Sequence, residues 1–493
     1  MLVGKSAEAV VGETAEGPNS NIASRGCIFL RQRRQWPRET VIEANRVDLP
    51  GGRRPEAEIQ GAGPEAEQAT VGIHHWTKAG GPVITLEEVL SPRNMLQACD
   101  RVITNKGAPG VDGMTVDQCS GHFAKHGASI CAHIRQGTYI PFPVRRVDIP
   151  KPNGGTRMLG IPTVQDRVIQ QAIAQILTAH YDPTFSEYSY GFRTGRSAHD
   201  AIKQSTAYIE GGCRFIVEMD LAKFFDTVNH DRLMSRLEKD CADKPLLKLI
   251  RRYLRTGIMS DGLVEAREEG TPQGSPLSPI LSLIVLDELD KFLEKRGLRF
   301  CRYADDCNIY VQSRLAGERA LATVTKFIEE TLKLRVNRDK SDVFRPGRAK
   351  FLGYTFWCRK PIAHPKSINR LKQKLKDVFF RARGSSLLST IKRLNMILRG
   401  WRNYFQLDLR RSVYYELDCH IRRHLRKLVW LAWKRPKRRM AALIKLGIPT
   451  AEARKAAGVG SGAWRMSGTK TMHKAYPLDF FRRNKLYSLL EMK

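Results

Sequence analysis

Long apolar runs, paired cysteines and, in its last quarter, acidic residues are what this sequence has least of. No stretch of 18 or more apolar residues occurs, so no membrane-spanning helix is expected. The opening MLVGKSAEAVVGETAEGP has neither a basic start nor a long apolar centre, so no secretory signal is expected there. Ten cysteines are scattered without a C-x-x-C pair. That argues against a zinc ribbon or a disulfide framework, and for buried free thiols in a reducing cytoplasm. No internal repeat is visible. Residues 359–493 carry 34 Lys and Arg against 7 Asp and Glu, which is +27 of the chain's net +33. Residues 1–80 are balanced at 10 and 10, and residues 81–358 hold 39 and 33. An excess of that size in one segment repels itself unless a polyanion neutralises it, so nucleic acid is the expected partner.

At 493 residues the chain is too long for one core, and two to four domains are expected. Residues 1–80, rich in Gly, Pro, Glu and Arg, read as a linker or weakly ordered arm. Order is expected from about Ile84. VRRVDIPKPNGGTRMLGIP reads as a hairpin around NGG. RFIVEMDL (214–221) is a β-branched strand running into Asp220. GTPQGSPLSP is a loop opening a long helix, and LRFCRYADDCNIYVQS reads as strand, tight turn, strand. AKFLGYTFWCR is a last short strand, and from 366 the pattern is basic helices. Over 198–357 this order predicts an α+β layer, a small, largely antiparallel sheet with helices on one face.

Asp305 and Asp306 stand side by side in RYADDCNIYV. Adjacent like charges repel and resist burial. If the strands are neighbours, Asp220 joins them at one sheet edge. Mg²⁺, a hard cation taking carboxylate oxygens, relieves that crowding. Two such ions roughly 4 Å apart activate a 3′-hydroxyl and stabilise a leaving pyrophosphate. An Asp pair alone is also a common turn feature, so the surrounding blocks decide the reading.

Those blocks are RYADDCNIYV, FIVEMDLAKFFDTVNHDRL, GTPQGSPLSPILSLIVLDELD, IPKPNGGTRMLGIPTVQDRVIQQA and AKFLGYTFWCR. In order and spacing, over roughly 84–357, they resemble group II intron reverse transcriptases. GWRNYF, KRPKRR and LIKLGIPTAEARKAA…GAWRMS resemble the maturase domain that follows. The resemblance implies a right-hand polymerase, with fingers and palm over 81–358, thumb and maturase helices over 359–430, and a basic maturase-specific segment over 431–493. It implies an RNA-directed DNA polymerase and maturase that binds its intron RNA, assists splicing and copies RNA into DNA during retrohoming. Its partners would be the intron RNA, an RNA template with a DNA primer, a DNA target site and dNTPs, with no membrane. Its setting would be the bacterial cytoplasm, nucleoid-associated. The oligomeric state, monomer or homodimer, stays open.

The resemblance also implies roles. Asp220, Asp305 and Asp306 would bind two Mg²⁺ ions and carry catalysis. Lys151 and Arg157, flanking the NGG turn, would grip the incoming triphosphate as point charge and fork. Phe225 resembles the aromatic gate that excludes a ribose 2′-hydroxyl, and one of Phe224 and Phe225 should face the nucleotide. Gln273 and Gly274 would lie against nucleotide and template. Lys340, in NRDKS, would approach the phosphates. RNA contacts are expected at Trp401, Arg402, Tyr404, Arg422, Arg423, Arg426, Lys427, Lys434, Arg435, Lys437, Arg438 and Arg439, where aromatics stack on bases and cations meet phosphates. One departure is Leu283, where many relatives have asparagine. No cysteine-paired endonuclease motif is present, so bottom-strand cleavage is not expected. The alternatives are a splicing cofactor with an unused polymerase site, a reverse transcriptase outside mobile introns, and an RNA-templated RNA polymerase. The last of these predicts a smaller residue at the gate.

Overall fold

The computed structural model describes residues 84–150, 156–260, 263–265, 269–271 and 274–491. The arm at 1–80, Lys151 and Gln273 lie outside the described residues, as does the side chain of Arg157. Ten strands are described: β1 (Val144–Pro150), β2 (Thr156–Ile161), β3 (Phe215–Met219), β4 (Ile258–Ser260), β5 (Leu263–Glu265), β6 (Arg299–Tyr303), β7 (Asp306–Val311), β8 (Asp342–Phe344), β9 (Tyr354–Trp357) and β10 (Lys360–Ala363).

The sheet that matters for function has the order β6-β7-β3-β8, and every pairing in it is antiparallel. Both of its faces are covered, which corrects the expectation of helices on one face. Val217, Met219, Phe300, Ile309 and Val311 enter a core shared with the Ser278–Lys295 and Arg314–Lys326 helices. Ile216, Cys301 and Tyr310 enter a second core with the Ala198–Glu210 helix and with Tyr354 and Phe356. The reason lies in the strands themselves. FIVEM and NIYV carry apolar residues at consecutive positions, so each side of the pleat has a surface to bury.

The strands on either side of NGG pair as expected, β1 and β2 antiparallel with Ile149 opposite Arg157. β1 also pairs in parallel with β4, giving a second sheet of order β2-β1-β4-β5. β4, β5, β8 and β10 escape the sequence pattern because three or four residues are too few to show a period of two. β10 stands inside the span expected to be all-helical.

From Pro365 onward the described elements are all helices. Leu371, Leu375, Leu394, Leu398, Leu417 and Leu425 bring the Pro365–Arg381, Leu387–Tyr404 and Arg411–Ala432 helices together around one core, which Phe481 and Leu489 complete. A smaller core around Trp430, Leu443, Ala453 and Met472 gathers the short helices between 436 and 475. Among the described residues no helix is long and apolar enough to cross a membrane. The nine described cysteines are free, and Cys301 and Cys307 are buried.

Candidate active site

The strand register sets the site. Met219, the last residue of β3, pairs with Cys307. One step further along the antiparallel ladder brings Asp220 towards Asp306, the first residue of β7. Tyr303 pairs with Asp306, so Ala304 and Asp305 form a two-residue turn, and Ala304 takes a left-handed φ of 57°. Burial pushes the Asp306 carboxyl up to about 6, and repulsion from Asp305 and Asp220 adds to it, against the pull of Lys350 and Lys340. The three carboxylates therefore feel one another, as the sequence suggested.

Asp220 is tied from the other side. Its Oδ2 accepts from Asn337 Nδ2 and from Lys340 Nζ, each at 3.0 Å. Its backbone N–H donates to Ser341 Oγ at 3.0 Å, and its carbonyl accepts from the Asn337 N–H at 2.8 Å. Lys340 thus meets Asp220 directly, closer to the carboxylates than the sequence alone could place it. Glu218, two residues before Asp220, is pushed up to about 7, chiefly by burial, with the negative charge of Asp306 adding to it.

Among the described residues, no group of three or more His, Cys, Asp or Glu side chains stands ready to hold a metal ion. The donor chemistry still fits one. The set is all carboxylate oxygen, suited to a hard divalent cation, and Asp305 and Asp220 add to burial in raising Asp306. Lys340 and Asn337 both donate to the same Asp220 oxygen, Oδ2.

The turn that carries Asp305 is braced by residues the sequence reading missed. Arg302 is fully buried and ion-paired with buried Asp290. Its Nε donates to Asp290 Oδ1 at 2.7 Å, one Nη to the Ala304 carbonyl at 3.0 Å, and the other to Ser189 Oγ at 2.7 Å. Gly191 lies against the same turn, and a Cβ there would come 2.3 Å from the Ala304 nitrogen. A signal was present, since an arginine in an apolar strand and an aspartate in ILSLIVLDELD both demand partners.

A cleft of about 750 Å³ opens at the β1–β2 hairpin, with Ile149, Leu159, Phe192, Phe225 and Gly274 among its walls. Of the two adjacent phenylalanines, Phe225 lines this cleft, while Phe224 is buried at 2% exposure. Gly274 has φ of 110°, and a Cβ would meet the Gly160 carbonyl at 2.7 Å, so only glycine lets the loop close on the β1–β2 hairpin. Asp220, Asp305 and Asp306 are not among the cleft's walls.

A family model described as reverse transcriptase (RNA-dependent DNA polymerase) matches residues 149–356, and one described as group II intron, maturase-specific domain, matches 368–445. Protein YkfC of Escherichia coli K12 is 33% identical over 298 residues, covering 52% of this chain and 78% of that protein. The group II intron-encoded protein LtrA of Lactococcus lactis is 35% identical over 257 residues, covering 52% of this chain but 41% of LtrA. The chain belongs to the group II intron reverse transcriptase and maturase family. It is an RNA-directed DNA polymerase joined to a maturase domain. A solved chain from a "Partial Cas6-RT-Cas1--Cas2 complex" overlaps at a TM-score of 0.32 with 25% identity, covering 50% of this chain and 43% of that one, too slight an overlap to argue from.

The reverse transcriptase's basic helices divide into inner and outer positions, and the expected RNA contacts fall on both. Arg402 is 6% exposed, donates to the Leu489 and Phe405 carbonyls at 3.1 and 3.2 Å, and lies over the Tyr414 ring. Arg426 is 5% exposed and donates to the Tyr476 carbonyl at 3.0 and 2.9 Å; burial lowers its guanidinium to about 10. Trp401 packs against the core and meets Phe405 at 4.7 Å. Arg402 and Arg426 thus face into the fold, and Trp401 is half-buried. Lys434, Arg435, Lys437 and Arg438 are exposed. Arg422, Arg423, Lys427 and Arg439 are half-buried, Arg423 over Trp464 and Arg439 over Trp430. Tyr404 is exposed, but its hydroxyl donates to the Leu352 carbonyl at 2.8 Å.

Proposed function

We propose that this reverse transcriptase works as a ribonucleoprotein with its own group II intron RNA, assisting splicing and then copying RNA into DNA at a DNA target site during retrohoming. In this reading residues 81–358 are the fingers and palm, 359–430 the thumb helices, and 431–493 the maturase-specific basic segment. The setting is the bacterial cytoplasm, on the nucleoid. The observation that carries the catalytic part is the β3–β7 register, which sets Asp220 towards Asp306 with Asp305 in the adjoining turn.

Asp220, Asp305 and Asp306 would hold two Mg²⁺ ions. When bound, these ions supply activation of the primer 3′-hydroxyl and charge stabilisation at the leaving pyrophosphate. The chain's own groups prepare the ground. Asn337 and Ser341 fix Asp220. Lys340, paired to Asp220, stands where it can deliver positive charge or a proton to the phosphates. Lys151 and Arg157, on either side of the NGG in the sequence, would grip the triphosphate. Phe225 fills the space beside the sugar and excludes a 2′-hydroxyl, selecting dNTPs, while Gln273 and Gly274 pack against nucleotide and template.

The test is primer extension with an RNA template, an annealed DNA primer, dNTPs and Mg²⁺, beside an Asp305→Ala/Asp306→Ala double variant. Extension by the wild type and none by the variant is the expected result. No extension by the wild type, with tight binding to structured RNA kept, would leave a splicing cofactor and overturn the polymerase half.

A further inference from the structure

A groove of about 760 Å³ runs between the Pro365–Arg381 and Arg411–Ala432 helices, with Trp464 at its wall. Its lining is of three kinds. The first is exposed aromatic surface. Phe380 is 64% exposed and Trp464 37%, while neighbouring Phe379 is buried in the core. The same helix buries one phenylalanine and presents the next to a basic groove, with the Arg383 guanidinium 4.8 Å from the Phe380 ring centroid. The second kind is imidazole. His424 stacks on Phe379 at 4.5 Å and 4°, and meets Trp464 at 4.7 Å; His420 lies 4.6 Å from His424. Burial, then His420, Lys427 and Arg423, pulls His424 down to about 4, and burial, then Lys372 and Arg423, pulls His420 below its ordinary value, which favours the uncharged rings.

The third kind is cation. Lys372, Lys376 and Phe380 recur every fourth residue along one face of their helix. Arg383 and Lys427 stand on the same groove, and Asp377 is the one acid in its lining. Flat rings, uncharged donors and acceptors, and a rim of positive charge together match a nucleobase with its phosphates. An acidic peptide would use the cations but would leave the aromatic faces and imidazoles without a counterpart.

We propose that this groove seats a single unpaired nucleotide of RNA. The base lies against the Phe380 ring and the edge of Trp464, whose face Arg423 covers at 4.1 Å, the flanking phosphates meet Lys372, Lys376 and Lys427, and the imidazoles of His420 and His424 hydrogen-bond the 2′-hydroxyl or the base edge. The 2′-hydroxyl, donor and acceptor at once, is what a neutral imidazole can read and a bare cation cannot. This rests on the maturase reading and goes further. It makes recognition at this point depend on an unstacked base as well as on phosphate charge.

The experiment compares two RNA hairpins of equal length on the full chain, one fully paired and one carrying a single bulged 2-aminopurine. The bulged hairpin is expected to bind about tenfold tighter, within the range of one base–aromatic stack, with its fluorescence quenched on binding. Phe380→Ser and Lys376→Gln, both at exposed positions, are each expected to erase that preference, leaving the melting temperature and the affinity for the paired hairpin near wild type. Equal binding of the two hairpins by the wild type, or a preference untouched by both variants, overturns the proposal while leaving RNA binding intact. A stronger preference for an all-deoxy bulge reassigns the groove to DNA and overturns it too. Failure to bind either RNA would instead bring down the maturase reading itself.

Discussion

Asp306 carries a charge that the fold alone does not want. Its carboxyl titrates near 6 in the folded chain against an ordinary value of 3.8. The folded state therefore holds that proton more tightly than the unfolded one, and the metal-free protein loses stability at this site as pH rises from about 4 to about 6. Asp306→Asn removes the titration. In EDTA the variant should match wild type more closely at pH 4 and exceed it in melting temperature at pH 7.5. Adding Mg²⁺ should raise the wild-type melting temperature and leave the variant's nearly unchanged, because only a competent site gains from ligand. A wild type that ignores Mg²⁺ would count against the carboxylates as a metal site. His424 behaves in the opposite sense. Its depressed value near 4 means that the unfolded chain binds the proton first, so stability is lost as pH falls from about 6.5 towards 4. His424→Gln should flatten part of that acid limb in a melting series from pH 7 to pH 4, and an unchanged limb would show that the ring titrates normally.

At the scale of elements, the site is a turn held from behind. Arg302 spans from Asp290 on the Ser278–Lys295 helix to the Ala304 carbonyl in the turn. Removing one partner of a buried pair leaves an uncompensated charge, and Asp290→Ala should cost about 3–5 kcal/mol in a denaturant titration. The double change Asp290→Leu/Arg302→Leu should recover much of that stability. It should not recover primer extension, because the bond that fixes the Asp305 turn is still gone. Recovery of both would make the pair purely structural. Gly191→Ala probes the same turn sterically, since its Cβ would displace the Ala304 backbone; extension should drop by more than the melting temperature predicts.

These braces also show what could be read in advance. β3, the β6–β7 hairpin and the NGG hairpin announce themselves, because four or more alternating or β-branched residues end at turn residues. The three aspartates follow from those strands. The partner of Arg302 does not, since Asp290 lies 12 positions away on a helix and only packing brings them together. The second covered face was hidden for a related reason: a strand apolar on both sides looks the same whether one layer or two await it.

Across the whole molecule, composition located the basic region but not its outward side. The +27 of residues 359–493 counts Arg402 and Arg426 together with Arg435 and Arg438, although the first two serve backbone carbonyls inside the fold. Periodicity could have separated them, because buried leucines at 394, 398, 417 and 425 mark the inward stripe of the same helices. The distinction has a measurable consequence. Each phosphate contact adds a little under one unit to the slope of log affinity against log salt. Arg435→Gln/Arg438→Gln should weaken structured-RNA binding, lower that slope by about two, and leave thermal stability near wild type. Arg426→Gln should do the reverse. Its guanidinium ties the Arg411–Ala432 helix to Tyr476, so the melting temperature should fall and the salt slope of the protein that remains folded should hold. If Arg426→Gln instead lowered the slope without loss of stability, the inner arginines would have to turn outwards to reach RNA, and the division between structural and binding cations drawn from burial would be wrong.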